Sequence, residues 1–218
     1  MKIYIVRHGQ TSWNKELRWQ GNKDVPLDVT GISQSSKLAE KLSLYPLNKM
    51  YSSPLKRTVM SAEIIKRKKN VDIIYRDGLR EIRLGQWEGC TTKEIIDRHG
   101  LLFKEWEESP TAQIGFGVEN MYDLQKRAYQ ELCDISAKET DNFIIMAHGT
   151  WIRCLLCKLL HIPLERRMTF EVNNTGINIV ECNKDENGLG FTVITLNDVS
   201  HLIGDMTKKA SSMRHSLL

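Results

Sequence analysis

The chain has 218 residues, 31 of them Lys or Arg against 27 Asp or Glu, for a formal net charge of +4. That length accommodates one large α/β domain without forcing a second core, and so mild a charge carries no nucleic-acid footprint. No apolar run approaches the roughly 20 residues of a membrane span, the opening residues lack the layout of a secretory leader, and the five cysteines are odd in number and scattered; the expectation is a cytoplasmic protein without a disulfide framework or membrane contact.

In chain order, "KIYIV" (2–6) is the first predicted strand, a nearly continuous apolar run suited to a sheet centre buried on both faces. Arg7, His8 and Gly9 follow it at once. After the turn around Pro26, a helical pattern covers 31–43 behind Thr30. A strand at 49–53 then leads into a helix over 54–67, opening with Pro54 at its first position. Another strand, 71–75, precedes the loop "LREIRLGQWEG" (79–89). Residues 90–120 are the least regular stretch and read as a small, short-helical cap or flap, in which Phe103, Trp106 and Phe116 either pack the cap on the core or form an apolar lip for a nucleoside-like or ring-bearing substrate.

A helix at 121–138, a strand at 143–147 and a helix at 150–160 follow, then strands at 177–182 and 191–196. Cys154 and Cys157 form a C-x-x-C, but Ile152, Leu155, Leu156, Leu159 and Leu160 recur around them at helical spacing. Packed helix cysteines fit that pattern better than a metal or redox pair, since no second thiol pair or histidine stands at finger-like spacing. The domain is expected to span 1–204, with 205–218 a polar tail. Alternating strands and helices indicate an α/β three-layer sandwich, a mostly parallel central sheet flanked by helices.

Two strands, 2–6 and 143–147, end in His-Gly, at His8-Gly9 and His148-Gly149. Ligands of open α/β sheets collect at the carboxyl ends of strands, so both histidines are expected over one crevice. A neutral imidazole held by a hydrogen bond to one ring nitrogen is a nucleophile at the other. A neighbouring guanidinium grips a phosphoryl group through two parallel bonds, and Gly9 lets the backbone approach the ligand. Arg57 falls in the first turn of a helix, where the dipole also favours an anion. Glu81, in the loop after 71–75, can protonate a leaving oxygen if its surroundings keep it protonated. Two histidines, two arginines and a carboxyl form the set needed for phosphoryl transfer through a phosphohistidine.

"RHGQTSWN", "GNKDVPLDVTG", "SPLKRTVMSAEII", "LREIRLGQWEG" and "MAHGT" stand in the order and rough spacing of the histidine phosphatase superfamily. The chain resembles a phosphoglycerate-mutase-like protein of its first branch over residues 1–182. The resemblance implies that His8 is the phosphorylated nucleophile, that Arg7, Arg57 and His148 complete the phosphate pocket, and that Glu81 gives and takes the proton. It further implies a phosphate hydrogen bond from Asn14, and Gln20 and Gly21 at the substrate entrance; Gly149 behind His148 belongs to the same substrate-binding set. Thr11 and Ser12 fit turn residues as well as ligand contacts. Where many members carry Gly-Glu-Ser before the long helix, this chain has Val118, Glu119 and Asn120. Glu119 still fits the pattern, with Arg127 as its structural partner.

The expected activity is hydrolysis of a small phosphorylated metabolite, with an inorganic phosphate or sulfate in the resting site and neither metal nor cofactor. A phosphoglycerate mutase dependent on 2,3-bisphosphoglycerate and a non-enzymatic phosphate-binding module are the alternatives. Family mutases resemble one another in a long insertion after the Glu-bearing loop, whereas only about thirty residues separate "WEGC" from "GVEN" here. That shorter cap is similar to the phosphatase branch, including α-ribazole phosphatase and broad-specificity phosphatases. Arg18, Lys56, Arg80 and Arg83 are candidates for a second acidic group on the substrate, and each equally fits a solvated surface charge. Nothing in the sequence sets an oligomeric state.

Overall fold

The computed structural model describes residues 1–186 and 188–202; the expected tail at 205–218 lies outside them. Six strands form one sheet: β1 (Lys2–Arg7), β2 (Lys49–Ser52), β3 (Asp72–Tyr75), β4 (Phe143–Ala147), β5 (Ile177–Asp185) and β6 (Gly188–Asp198), in the order β3-β2-β4-β1-β5-β6. β1 runs parallel to β4, in register from Ile3 opposite Phe143 to Arg7 opposite Ala147. β2 is parallel to β4 and β3. β5 and β6 close the other edge as an antiparallel hairpin laid against β1.

Side-chain alternation along β1 and β4 divides the core in two. Tyr4, Val6, Ile144 and Met146 point to one face, where they meet Leu38, Ala39 and Leu42 of α2 (Val29–Ser43) and Ala62 and Ile65 of α3 (Lys56–Lys68). Ile3, Ile5, Phe143 and Ile145 point to the other, against α5 (Met121–Lys138) and α6 (Gly149–Leu159). Both faces are covered, which is why neither central strand shows polar alternation.

Element ends differ from the sequence reading for identifiable reasons. α2 begins before Thr30 because Asp28 is the cap, its carboxylate accepting the N–H of Gly31 at 2.8 Å. Pro54 lies outside α3, which starts at Lys56 with Leu55 as its N-cap residue. The cap region is more regular than expected. It holds α4 (Thr92–Glu108), opened by a capping box in which Thr91 Oγ1 accepts from Glu94 N and Glu94 Oε2 from Thr91 N. Non-helical backbone at His99 kinks α4 midway, which breaks the hydrophobic period that would have announced one long helix. Phe103 and Trp106 are buried against Trp19 and Trp87 in edge-to-face contacts. Phe116 departs from the expectation: it is left-handed at φ 52° and largely exposed, its ring against His99.

Cys154 and Cys157 are buried on α6 and free, as are the other three cysteines. Burial raises both thiols, that of Cys157 to about 11, so they behave as packing groups.

Candidate active site

The crevice opens at the carboxyl ends of β1 and β4. His8 is the first residue past β1 and His148 the first past β4; their ring centroids lie 5.3 Å apart. His8 Nδ1 is 2.7 Å from the Gly9 carbonyl. An acceptor there puts the ring proton on Nδ1 and leaves the Nε2 lone pair free. Burial, reinforced by Arg57 and Arg7, holds the His8 imidazole well below its ordinary pKa and thus neutral. The backbone beneath it is clamped: His8 N donates to Ala147 O at 3.1 Å, while Asn174 Nδ2 and Thr175 N both donate to His8 O.

Gly9 is also required by the packing of the protein itself. A Cβ there would stand 2.4 Å from the Gly31 carbonyl, and one on Gly31 2.0 Å from the Gln10 carbonyl. The two glycines let the first turn of α2 press on the loop behind His8.

Arg57, in the first turn of α3, is buried with its guanidinium fixed by Nη1 on Lys23 O and Nη2 on Gly21 O, each at 2.8 Å, and by Nε on His148 Nδ1 at 3.2 Å. His148 spends its other nitrogen on Ser53 Oγ at 2.8 Å. His148 is fully buried, between Arg57 and Ser53 and beside His8. Burial and Arg57 keep it neutral too. Arg7 donates from Nη1 to Val172 O at 2.7 Å, and its Nε is buried without a partner. Desolvation pulls both arginines down to about 10, so they remain cations at neutral pH without an ion pair among the described residues.

Glu81 reaches the same crevice from the loop after β3. Its Oε2 accepts Thr150 N, and its Oε1 accepts Trp151 N and Ile82 N, all at 3.0 Å. α6 has no side-chain cap of its own at His148. The Glu81 carboxyl supplies one from 69 residues away in sequence, taking two of the orphan N–H groups of the helix N-terminus. Beneath it Arg127 donates to the carbonyls of Gly78, Arg80 and Glu81, and pairs with Glu119 at 3.1 Å.

Arg7, His8, Asn14, Gln20, Gly21, Arg57, Glu81 and Gly149 all line one cavity of about 130 Å³. Asn14 sits in the short helix α1 (Ser12–Lys15), where its Oδ1 closes a capping box with Thr11; its amide NH2 is the group left to face a ligand. Thr11 is thus a cap residue. The Gln20 Oε1 is buried and unbonded. Arg18 lines the wall but is bonded to Gly89 O, Glu16 and Glu94. Lys56 and Arg83 are exposed, and Arg80 pairs with Asp77 at the surface. The sequence reading missed Arg153, Arg167, Glu171 and Asn174, which complete the wall. Among the described residues no three His, Cys, Asp or Glu side chains converge to hold a metal ion.

A model of the histidine phosphatase superfamily, branch 1, matches residues 3–197. The chain belongs to that superfamily. Phosphoserine phosphatase 1 of Hydrogenobacter thermophilus is 29% identical over 203 residues, covering 93% of this chain and 94% of the relative. A probable phosphoglycerate mutase of Proteus mirabilis is 31% identical over 209 residues, covering 93% and 95%. Among solved structures of this superfamily's fold, Bacillus stearothermophilus YhfR superposes with a TM-score of 0.84 at 30% identity, over 92% of this chain and 98% of its own. In this histidine phosphatase Asn120 caps α5, its Oδ1 accepting from Asp123 N at 2.8 Å.

Proposed function

We propose that this chain is a phosphatase that hydrolyses a small phosphate monoester through a phosphohistidine on His8. The observation that carries the reading is the fixed tautomer of His8: Nδ1 is committed to Gly9 O, and Nε2 is left over a cavity walled by two guanidinium groups. His8 Nε2 attacks phosphorus as the ester P–O bond breaks, and Glu81 gives its proton to the departing oxygen. Water then attacks the phosphohistidine, its proton returns to Glu81, and the N–P bond breaks. Most of the work in such transfers is positioning and charge stabilisation. Arg7 and Arg57 supply both, and His148 acts by holding Arg57.

Unpaired guanidinium groups drawn out of water are costly, each ion losing several kcal/mol of hydration. The resting site accordingly holds an inorganic anion, phosphate or sulfate. A cavity of about 130 Å³ is small against the 300–1,000 Å³ typical of pockets for larger ligands, which favours a compact phosphorylated metabolite over a ring-bearing ester of the α-ribazole kind. The free cysteines fit a reducing compartment such as the cytoplasm.

Relatives include both a named phosphatase and a named mutase. The short cap favours hydrolysis, because a mutase must shield the phosphoenzyme from water. Phosphate release from p-nitrophenyl phosphate, lost by a factor of 10³ or more in a folded His8→Ala variant, is the expected result. More than a few per cent residual turnover would overturn the nucleophile. Interconversion of phosphoglycerates that needs 2,3-bisphosphoglycerate would favour the mutase, and silence in both assays a binding module.

A further inference from the structure

Five arginines line the cavity, and four of them are engaged. Arg18 is held by Glu16, Glu94 and Gly89 O, and Arg57 by Gly21 O, Lys23 O and His148. Arg7 is anchored on Val172 O; Arg167 pairs with Glu107 and lies over the Trp106 ring. Arg153 differs: among the described residues no hydrogen bond or ion pair reaches it, and its Nε is buried. The carboxyl groups of Glu171 and Glu81 lie in its surroundings, and no ion pair joins either to it.

Arg153 follows Gly149 by one turn of α6, on the same face. Helical side chains lean toward the N-terminus, so its guanidinium reaches back over Gly149. A Cβ on Gly149 would lie 3.6 Å from Arg153 Nη1 and 3.3 Å from Arg7 Nε. The two guanidinium groups thus flank the bare Gly149 Cα, and each has an orphan Nε. A phosphate over His8 claims Arg7 and Arg57, which leaves one whole guanidinium fork facing the cavity with nothing to bind.

We infer that Arg153 receives a second, singly charged anionic group of the substrate, a carboxylate a few bonds from the phosphate ester. A carboxylate fits the planar fork through two parallel bonds. A second phosphate fits worse, because Glu171 opposes a dianion and the cavity is small. This inference rests on the phosphatase reading and narrows it to carboxylated phosphomonoesters; Arg153 is then the residue that sets specificity.

The matched probes are 3-phosphoglycerate and glycerol 3-phosphate, which differ in carrying a carboxylate or a hydroxymethyl group at the same carbon. The wild-type protein is expected to show a kcat/KM at least tenfold higher for 3-phosphoglycerate, and Arg153→Gln to lower that ratio at least tenfold, chiefly through KM. Arg153→Lys, with the charge but not the fork, should fall between them. No wild-type preference, a measurement that needs no variant, would overturn the inference. So would a loss in Arg153→Gln that is equal for the two probes, since the arginine would then serve the phosphate. Phosphate release from p-nitrophenyl phosphate without carboxylate preference removes this subsite alone; no release from any of the three removes the phosphatase reading and the subsite with it.

Discussion

At the scale of single residues, what distinguishes this site is how much of the protein is spent on holding a few atoms still. Arg127 touches nothing in the cavity, yet its fork ties three carbonyls of the Glu81 loop to Glu119 and so to the start of α5. A carboxyl that must meet a leaving oxygen tolerates little drift, because a misplacement of about 1 Å costs on the order of 10²-fold in rate. Arg127→Lys keeps a charge opposite Glu119 but offers one nitrogen in place of the fork. The expected outcome is a fall in kcat of about 10²-fold with KM for p-nitrophenyl phosphate moved far less. A parallel rise in KM with kcat unchanged would mean that Arg127 shapes binding rather than the proton donor.

The elements explain both what the sequence disclosed and what it hid. Two apolar strands each ending in His-Gly were legible because buried parallel strands must be apolar throughout and must deliver their ends to one edge. Glu81 and Arg57 were legible by motif. Asn174 and Thr175 were not, although they clamp His8, because β5 runs antiparallel to β1. Its beginning, rather than its end, therefore lies at the ligand edge, and strand direction leaves no mark on the residues. Arg153, Arg167 and Glu171 were hidden for a similar reason: a charge on a helix or loop is a surface residue until the neighbours that enclose it are known. His148 was legible as a strand-end histidine, whereas its burial between Arg57 and Ser53 depends on neighbours distant in sequence. The Asn120 departure is a matter of helix chemistry alone. Asn and Ser both cap well, and Ala costs about 1 kcal/mol. In urea titrations Asn120→Ser should match the wild type within a few tenths of a kcal/mol while Asn120→Ala loses about 1; equal losses would deny Asn120 its capping role.

For the molecule as a whole, burying neutral histidines ties stability to pH. His201, beside Thr175, is drawn down to about 4, first by burial and then by Lys41. His8 and His148 are lowered in the same direction, by burial and by the arginines around them. In the unfolded chain all three take a proton near the ordinary histidine value of about 6.5. Between that value and the folded one, the unfolded state binds more protons than the native state, so stability rises with pH across the window. The contribution is fully present above about pH 6.5 and is lost as the solution is acidified toward 4. Asp198, lowered to about 2, acts only below the ordinary aspartate range and leaves this window to the histidines. The melting temperature measured by calorimetry should therefore fall steadily from pH 7 to pH 5, by several degrees in chloride. Phosphate in the cavity should deepen the slope, since an anion that binds only the folded protein adds stability most where the site is intact. A melting temperature that stays level or rises on acidification to pH 5 would mean that these rings open to solvent and protonate without unfolding. The fixed tautomer of His8, and with it the nucleophile at Nε2, would then lose its structural basis.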